Sequence, residues 1–255
     1  MKPEAIRSFV TDLALAAGEL IRPLYLQPGL AVERKADESP VTAADRGAEQ
    51  VMRRMINSRF PAHGIMAEEF GNENENAEWV WVLDPIDGTL SFTSGCPLFG
   101  TLIGLLHHGE PVAGCIYQPI LNQLCLGDGR STTLNDRPVR VREVEELSEA
   151  LVLTTDITNI EKQHKLSGFE ALRRQSRLCR TWGDCYGYLL LASGLADVML
   201  DPIMNPWDIL PLIAVVRGAG GVITAWDGSD PVKASSCVAA GPKLHARVLE
   251  LLHAS

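Results

Sequence analysis

The run Trp79-Val80-Trp81-Val82-Leu83 is rich in strand formers and ends directly in Asp84-Pro85-Ile86-Asp87-Gly88-Thr89. Two acids therefore sit at one strand terminus. Pro85 restrains the turn, and Gly88 lets other backbone approach closely. Carboxylates held so near each other repel unless a cation lies between them. Hard divalent ions such as Mg²⁺ take oxygen ligands and commonly share them with a phosphate. If a helix opens at Gly88-Thr89, its N–H groups and dipole add an anion site. One short segment then holds metal on one side and phosphate on the other.

The rest of the chain sets the scale. Its 255 residues, 46% of them apolar, suffice for one large domain or two joined lobes. With 23 basic against 32 acidic residues, the net charge of -9 argues against nucleic acid or an anionic membrane as partner. It does not exclude a phosphate substrate, because a bound cation inverts the local sign. The cysteines Cys96, Cys115, Cys125, Cys179, Cys185 and Cys237 contain no C-x-x-C pair and read as buried small hydrophobes in a reducing compartment. No signal-like N-terminus and no apolar run near ~18 residues is present, so the expectation is a soluble cytoplasmic protein. The histidines His63, His107, His108, His164, His245 and His253 lack zinc-type spacing and read as surface or packing residues.

Periodicity predicts a helix over 4–26, stopped by Gln27-Pro28-Gly29, and a second helix opened by a capping box at Thr42-Ala43-Ala44-Asp45. A short strand at Ile65-Met66, the strand from Trp79, a hairpin of Thr101 to Leu106 with Val112 to Tyr117, and Gln123 to Leu126 follow, as an antiparallel meander. Beyond residue 150 strands and helices alternate. Strands fall near Ala150–Thr154, Leu178, Ala196–Leu200, 222–224 and 238–240. Helices are predicted over Ile160–Arg174, Asp184–Ser193, Pro206–Arg217 and Lys243–His253. The expected architecture is an α+β lobe, 1–146, that contains the Asp84 to Thr89 segment, followed by an α/β lobe, 147–255.

Three further acids stand out, each with a plainer reading. Asp45 also fits a helix cap, and Glu68 is one acid of the pair Glu68-Glu69. Asp208 is the third helical residue if Asn205 caps and Pro206 opens the helix, which suits the helix dipole alone.

Taken in order, these segments resemble the inositol monophosphatase superfamily over nearly the whole chain. Asp84-Pro85-Ile86-Asp87-Gly88-Thr89 is similar to its first signature and Asn205-Pro206-Trp207-Asp208 through Gly220-Gly221 to its second. Ala67-Glu68-Glu69 and Pro40-Val41-Thr42-Ala43-Ala44-Asp45 match the upstream elements. The resemblance implies a layered α/β/α/β/α sandwich, often a homodimer, with two or three Mg²⁺ ions and sensitivity to lithium. Glu68 and Asp84, with the Ile86 carbonyl, would ligate one ion, and Asp84, Asp87 and Asp208 a second. Thr89, supported by Asp45, would orient and deprotonate the attacking water, and the Gly88 and Thr89 backbone would hold phosphate. Lys35 would lie in a loop over the site. Attack would be direct and in line, without a covalent phospho-enzyme. Ser91 stands where the family commonly has Asn, and Gly218 where it often has Glu, which weakens assignment to the inositol-cleaving branch.

Thr181-Trp182-Gly183-Asp184-Cys185-Tyr186-Gly187-Tyr188 resembles the pocket segment of the histidinol-phosphate phosphatase branch, as do Gly88-Thr89-Leu90-Ser91-Phe92 and the stretch Gly95 to Thr101. The resemblance implies L-histidinol phosphate as substrate, with Gly183, Asp184, Cys185 and Asp201 as its contacts. An ammonium and an imidazole need acceptors, which Asp184 and Asp201 supply. Asp184 equally fits a helix cap, and Asp201 a turn acid before Pro202. The competing readings are an inositol or broad sugar and nucleotide phosphatase, and a non-catalytic relative that binds a ligand.

Overall fold

The computed structural model describes residues 1–34 and 40–254. Lys35 lies outside the described residues.

Helix α1 (Pro3–Ile21) opens with proline at its first position and buries Phe9, Leu13 and Ala17 on one stripe. It ends short of the predicted residue 26, because Pro23 has no N–H for the helical ladder and a 3₁₀ turn, Arg22–Leu24, takes over. β1 (Val32–Arg34) and β2 (Pro40–Thr42) pair antiparallel. α2 (Ala43–Arg59) starts at the predicted capping box, with the Asp45 carboxylate accepting from the Thr42 N–H at 2.8 Å.

Seven strands then form one sheet in sequence order: β3 (Gly64–Ala67), β4 (Trp79–Asp87), β5 (Gly100–His107), β6 (Glu110–Gln118), β7 (Gln123–Gly127), β8 (Thr132–Leu134) and β9 (Arg137–Val139). A short helix, α3 (Thr89–Thr93), follows β4. β3 runs parallel to β4, so the predicted meander begins only at β4. β4 continues past Leu83 through Pro85, with a register irregularity between Asp84 and Asp87 that lets a proline sit in the strand.

The second sheet contains β10 (Leu151–Thr154), β11 (Leu178–Arg180), β12 (Val198–Asp201), β13 (Val222–Thr224) and β14 (Cys237–Ala240), in the order β11-β10-β12-β14-β13. The helix predicted over 160–174 is two, α4 (Ile157–Gln163) and α5 (Leu166–Gln175). His164 between them is extended, and its ring stacks on Trp226 at 4.0 Å. α6 (Asp184–Ala192), α7 (Pro206–Gly218) and α8 (Pro242–His253) complete the chain.

Strand alternation sorts the apolar residues into three cores. Trp81 and Leu83 of β4 face α1 and α2, whereas Val80 and Val82 face α6 and α7. Met199 of β12 joins that middle core, while Val198 and Leu200 face α5 and α8. The middle core lies on both faces of the α6–α7 layer, so three cores fill the four interfaces of a five-layer α/β/α/β/α sandwich. α7 is buried nearly all round, from Ile209 to Val216, because it fills the space between the sheets.

Glycines let α7 lie directly on the first sheet. A Cβ at Gly114 of β6 would stand 1.9 Å from the Pro211 carbonyl oxygen, and one at Gly127 of β7 would stand 2.5 Å from the Val215 Cα. This contact brings the head of α7 to the end of β4.

Candidate active site

β4 ends at the site, and its last residues present Asp84 and Asp87. Asp84 is 2% exposed. One of its oxygens accepts from the Ile86 N–H at 3.0 Å, which fixes the carboxylate in the irregular turn. Asp208 stands on the first turn of α7, where its Oδ2 accepts from the Asn205 N–H at 2.7 Å. The capping reading is therefore correct, but it uses only one carboxylate oxygen fully. Carboxylate atoms of Asp84, Asp87 and Asp208 lie within 4.8 Å of one another.

Glu68 follows β3 and hydrogen-bonds with Asp84, while Asp84 also contacts Asp208. Contacts between carboxyl groups need a shared proton or a cation. Burial, then the neighbouring acids, pushes Asp84 and Asp87 well above the usual carboxylate range. Burial, together with the Glu68 charge, pushes Asp208 up to about 7. No Lys or Arg among the described residues is ion-paired with these three acids. An all-oxygen donor set of high negative charge, with no Lys or Arg ion-paired to it among the described residues, fits a hard divalent ion.

Asp45 is fully buried at the start of α2, and burial raises its pKa. One of its oxygens holds the Thr42 cap. The other lies 3.3 Å from the Thr89 hydroxyl, which is also 3.0 Å from the Ile86 carbonyl. The hydroxyl has one proton and two acceptors, so one lone pair stays available for a water. Gly88 is left-handed (φ 88), and a Cβ there would meet an Asp184 carboxylate oxygen at 2.8 Å. Glycine is thus required where β4 turns into α3.

Asp184 is the first residue of α6 and is itself left-handed, at φ 49. Its N–H donates to the Thr155 Oγ1 at 2.8 Å, and its carboxylate lies 3.4 Å from the Ser91 hydroxyl. The N-cap position is Gly183, which has no side chain to cap with, and the hydrogen bond resolved on the Asp184 carboxylate comes from Ser91. Burial, opposed by the Ser91 hydrogen bond, pushes it up to about 6. Ser91, the departure from the family pattern, therefore touches the pocket acid directly. Gly218, the other departure, lies elsewhere: a Cβ there would meet the Ser131 carbonyl at 2.5 Å.

Asp201 ends β12 and is no solvated turn acid. It is 5% exposed, accepts from the Tyr188 hydroxyl at 2.9 Å, hydrogen-bonds with Thr155, and is pushed up by burial to about 7. Asp87, Thr155, Asn159, Asp184, Asp201 and Asp208 are among the residues lining one 350 Å³ cavity. Gly183 and Cys185 act behind it. A Gly183 Cβ would clash with Thr155 at 2.2 Å. The Cys185 side chain is 1% exposed, and its N–H donates to Asp87.

Sequence reasoning passed over Thr155, which links Asp184 to Asp201, and Tyr188. Thr155 directly follows β10, whose neighbour β12 is parallel. The carboxyl ends of parallel strands are where ligands collect, so that position carried a readable signal. Glu49 was also missed. It is fully buried on α2, and its carboxylate accepts from Arg53 at 2.8 Å and from the N–H groups of Glu69 at 2.7 Å and Phe70 at 3.0 Å. It thereby fixes the backbone beside Glu68.

Comparison with known proteins agrees with this geometry. A sequence model of the inositol monophosphatase family matches residues 2–255. The bifunctional phosphatase IMPL2, chloroplastic, of Arabidopsis thaliana is 41% identical over 253 residues, covering 94% of this chain and 72% of its own. A histidinol-phosphatase of Chlorobaculum parvum is 37% identical over 222 residues, with 87% and 86% covered. A histidinol-phosphatase of Mycobacterium tuberculosis is 34% identical over 250 residues, with 95% and 96% covered. The solved inositol monophosphatase from Zymomonas mobilis matches the whole of both chains with a TM-score of 0.89 at 35% identity. The layered fold and the acid cluster define a metal-dependent phosphoric monoester hydrolase. The chain belongs to the inositol monophosphatase family, in which its relatives include a histidinol-phosphatase branch.

Proposed function

We propose that the chain hydrolyses L-histidinol phosphate to L-histidinol and phosphate, in histidine biosynthesis and with Mg²⁺ as cofactor. The observation that carries this reading is the pair Asp184 and Asp201, joined through Thr155, on the wall of the cavity that also holds Asp87 and Asp208. Two carboxyls there suit a leaving alcohol that bears an ammonium and an imidazole. The names of the Chlorobaculum and Mycobacterium relatives support it.

Two or three ions are proposed, one held by Glu68, Asp84 and the Ile86 carbonyl, another by Asp84, Asp87 and Asp208. Bound there, the metal would polarise the phosphoryl oxygens and lower the pKa of a water. The chain's own groups do the rest. The Thr89 hydroxyl turns its proton toward Asp45, which leaves the Ile86 carbonyl to ligate and a Thr89 lone pair to orient the water. The Gly88 and Thr89 backbone holds the phosphate. The Cys185 N–H holds the Asp87 carboxylate in place, and Asp184 and Asp201 hold the alcohol. We further propose a cytoplasmic homodimer, with residues 1–146 contributing the phosphate groups and 147–255 the alcohol pocket. Among the described residues no helix is long and apolar enough to cross a membrane.

A second reading, a broader phosphatase for polyol phosphates, is favoured by Thr155 and Asn159 on the same cavity wall, since both can bind hydroxyls. The test is a substrate panel with Mg²⁺. The proposal expects histidinol phosphate to be cleaved at least tenfold faster than inositol 1-phosphate or fructose 1,6-bisphosphate. A preference for inositol 1-phosphate refutes it, and comparable rates favour the second reading. No turnover on any ester supports the non-catalytic alternative.

A further inference from the structure

We propose that Glu78, His107 and His108 form a binding site for a borderline divalent transition metal such as zinc, separate from the acid cluster. The site sits at the other end of β4 from Asp84. Glu78 immediately precedes β4, His107 closes β5, and His108 lies in the turn to β6. Ligand atoms of the three residues lie within 4.8 Å of one another.

Adjacent residues in a strand point to opposite faces, so His107 and His108 would ordinarily diverge. His108 escapes this rule because its backbone is left-handed, at φ 52, with Gly109 beside it at φ 83. The two imidazoles therefore turn to one side, with ring centroids 4.4 Å apart. The His108 N–H donates to the Glu78 carbonyl at 2.8 Å, which ties the turn to the start of β4. Both rings then address one carboxylate oxygen. His107 Nε2 is 3.0 Å from Glu78 Oε1, and His108 Nε2 is 3.8 Å from the same atom.

Those separations suit a metal. Ligand atoms on a tetrahedral zinc at roughly 2.0–2.1 Å stand about 3.3 Å from each other. The two observed distances bracket that value, so small side-chain rotations would close the set. His107 is also held in advance. Its ring lies face to face with Trp79 at 4.0 Å, and Trp79 stacks in turn on His63 at 6.1 Å. His63 is fixed by the Trp81 indole N–H, which donates to its Nδ1 at 3.1 Å. A ladder of rings thus runs from the buried core to the imidazole, lowering the ordering entropy that metal binding must overcome. Two imidazoles and one carboxylate select zinc, nickel or copper over magnesium or calcium, which take oxygen donors. Three protein ligands leave the remaining position to water.

The experiment uses the full chain, stripped with chelator and then kept in excess Mg²⁺, with Co²⁺ as the spectroscopic probe. The wild type is expected to develop the intense visible bands of four-coordinate, imidazole-bound cobalt, saturating at one equivalent and erased by Zn²⁺. Cobalt held by the carboxylates alone would absorb only weakly. His108→Asn, which tolerates a left-handed backbone, and Glu78→Gln should each weaken this binding tenfold or more. Mg²⁺-dependent phosphatase turnover should stay unchanged in both. Absence of the bands in the wild type overturns the proposal, as does unchanged affinity in both variants.

Discussion

Replacing Glu49 by Ala tests whether the backbone beside Glu68 is held from behind by a buried charge. The carboxylate accepts from Arg53 and from two backbone N–H groups, at 2.8, 2.7 and 3.0 Å. Arg53 is itself 6% exposed, so removal strands a buried guanidinium that keeps only Glu73 and the Gly71 carbonyl. Breaking a buried ion pair by deleting one partner destabilises by about 3–5 kcal/mol. Each N–H left unpaired accounts for roughly 1–3 kcal/mol within that total. For a domain of this size about 1 kcal/mol moves the Tm by 2–4 °C, so a fall of roughly 10 °C is expected. Urea denaturation of metal-free protein gives the free energy, and Mg²⁺ titration of turnover gives the functional part. Half-saturation should rise at least tenfold, because Glu68 is no longer fixed beside Asp84, while kcat at saturating Mg²⁺ falls much less. A Tm within 2 °C of wild type, or an unchanged Mg²⁺ dependence, refutes the argument.

Asp87→Asn should abolish metal-dependent turnover while circular dichroism and Tm stay close to wild type, because the side chain keeps its acceptor for Cys185. Asp184→Asn should raise KM for histidinol phosphate at least tenfold and spare a generic ester such as p-nitrophenyl phosphate; equal loss on both would make Asp184 structural. Gly114→Ala should destabilise by about 3 kcal/mol or more, since its methyl meets the Pro211 carbonyl and the backbone cannot retreat, and an unchanged urea midpoint would contradict that contact. Metal-free protein should lose stability as pH rises through 7. Asp201 and Asp208 titrate at about 7 in the fold and about 3.9 unfolded, so their contribution is fully present below about pH 4 and is lost as pH rises from there through 7. His63, His164 and His245, lowered by burial, act in the opposite sense below about pH 6.5, so the window is pH 6.5–8. Thermal melts in EDTA across it should fall with pH, Mg²⁺ should flatten the slope, and a flat EDTA profile refutes the reading.

What was legible followed from local rules. Strand formers running into Asp84, the Thr42 capping box and the Asn205-Pro206 helix start are each fixed by neighbours in sequence, and the structure keeps all three. The acids of the cluster were legible as residue types at element ends. Their meeting followed from the family resemblance alone and from no local pattern, because it depends on α7 lying against β5 and β6. β8 and β9 were missed because three-residue strands carry too little alternation to be read. The break at His164 was missed because apolar spacing continues through it, while a stack on Trp226, distant in sequence, decides it. The histidines read as surface or packing residues on spacing, a rule that takes no account of the proposed grouping of His107 with His108. A left-handed backbone at His108 is invisible to a spacing rule, and Glu78 approaches only once β4 pairs with β5.

The glycine-lined contact between α7 and the first sheet also bears on biosynthesis. During translation β4, β5 and β6 emerge long before α7, so Val80, Val82 and Leu102 form one side of a sheet whose cover has not yet been made. Until α7 arrives, α6 is the one helix available to that side, and the apolar surface that α7 covers stays open to other nascent chains. The helix that delivers Asp208 is thus also the last shield of the first sheet. A chain interrupted before residue 206 keeps this apolar side without its main cover.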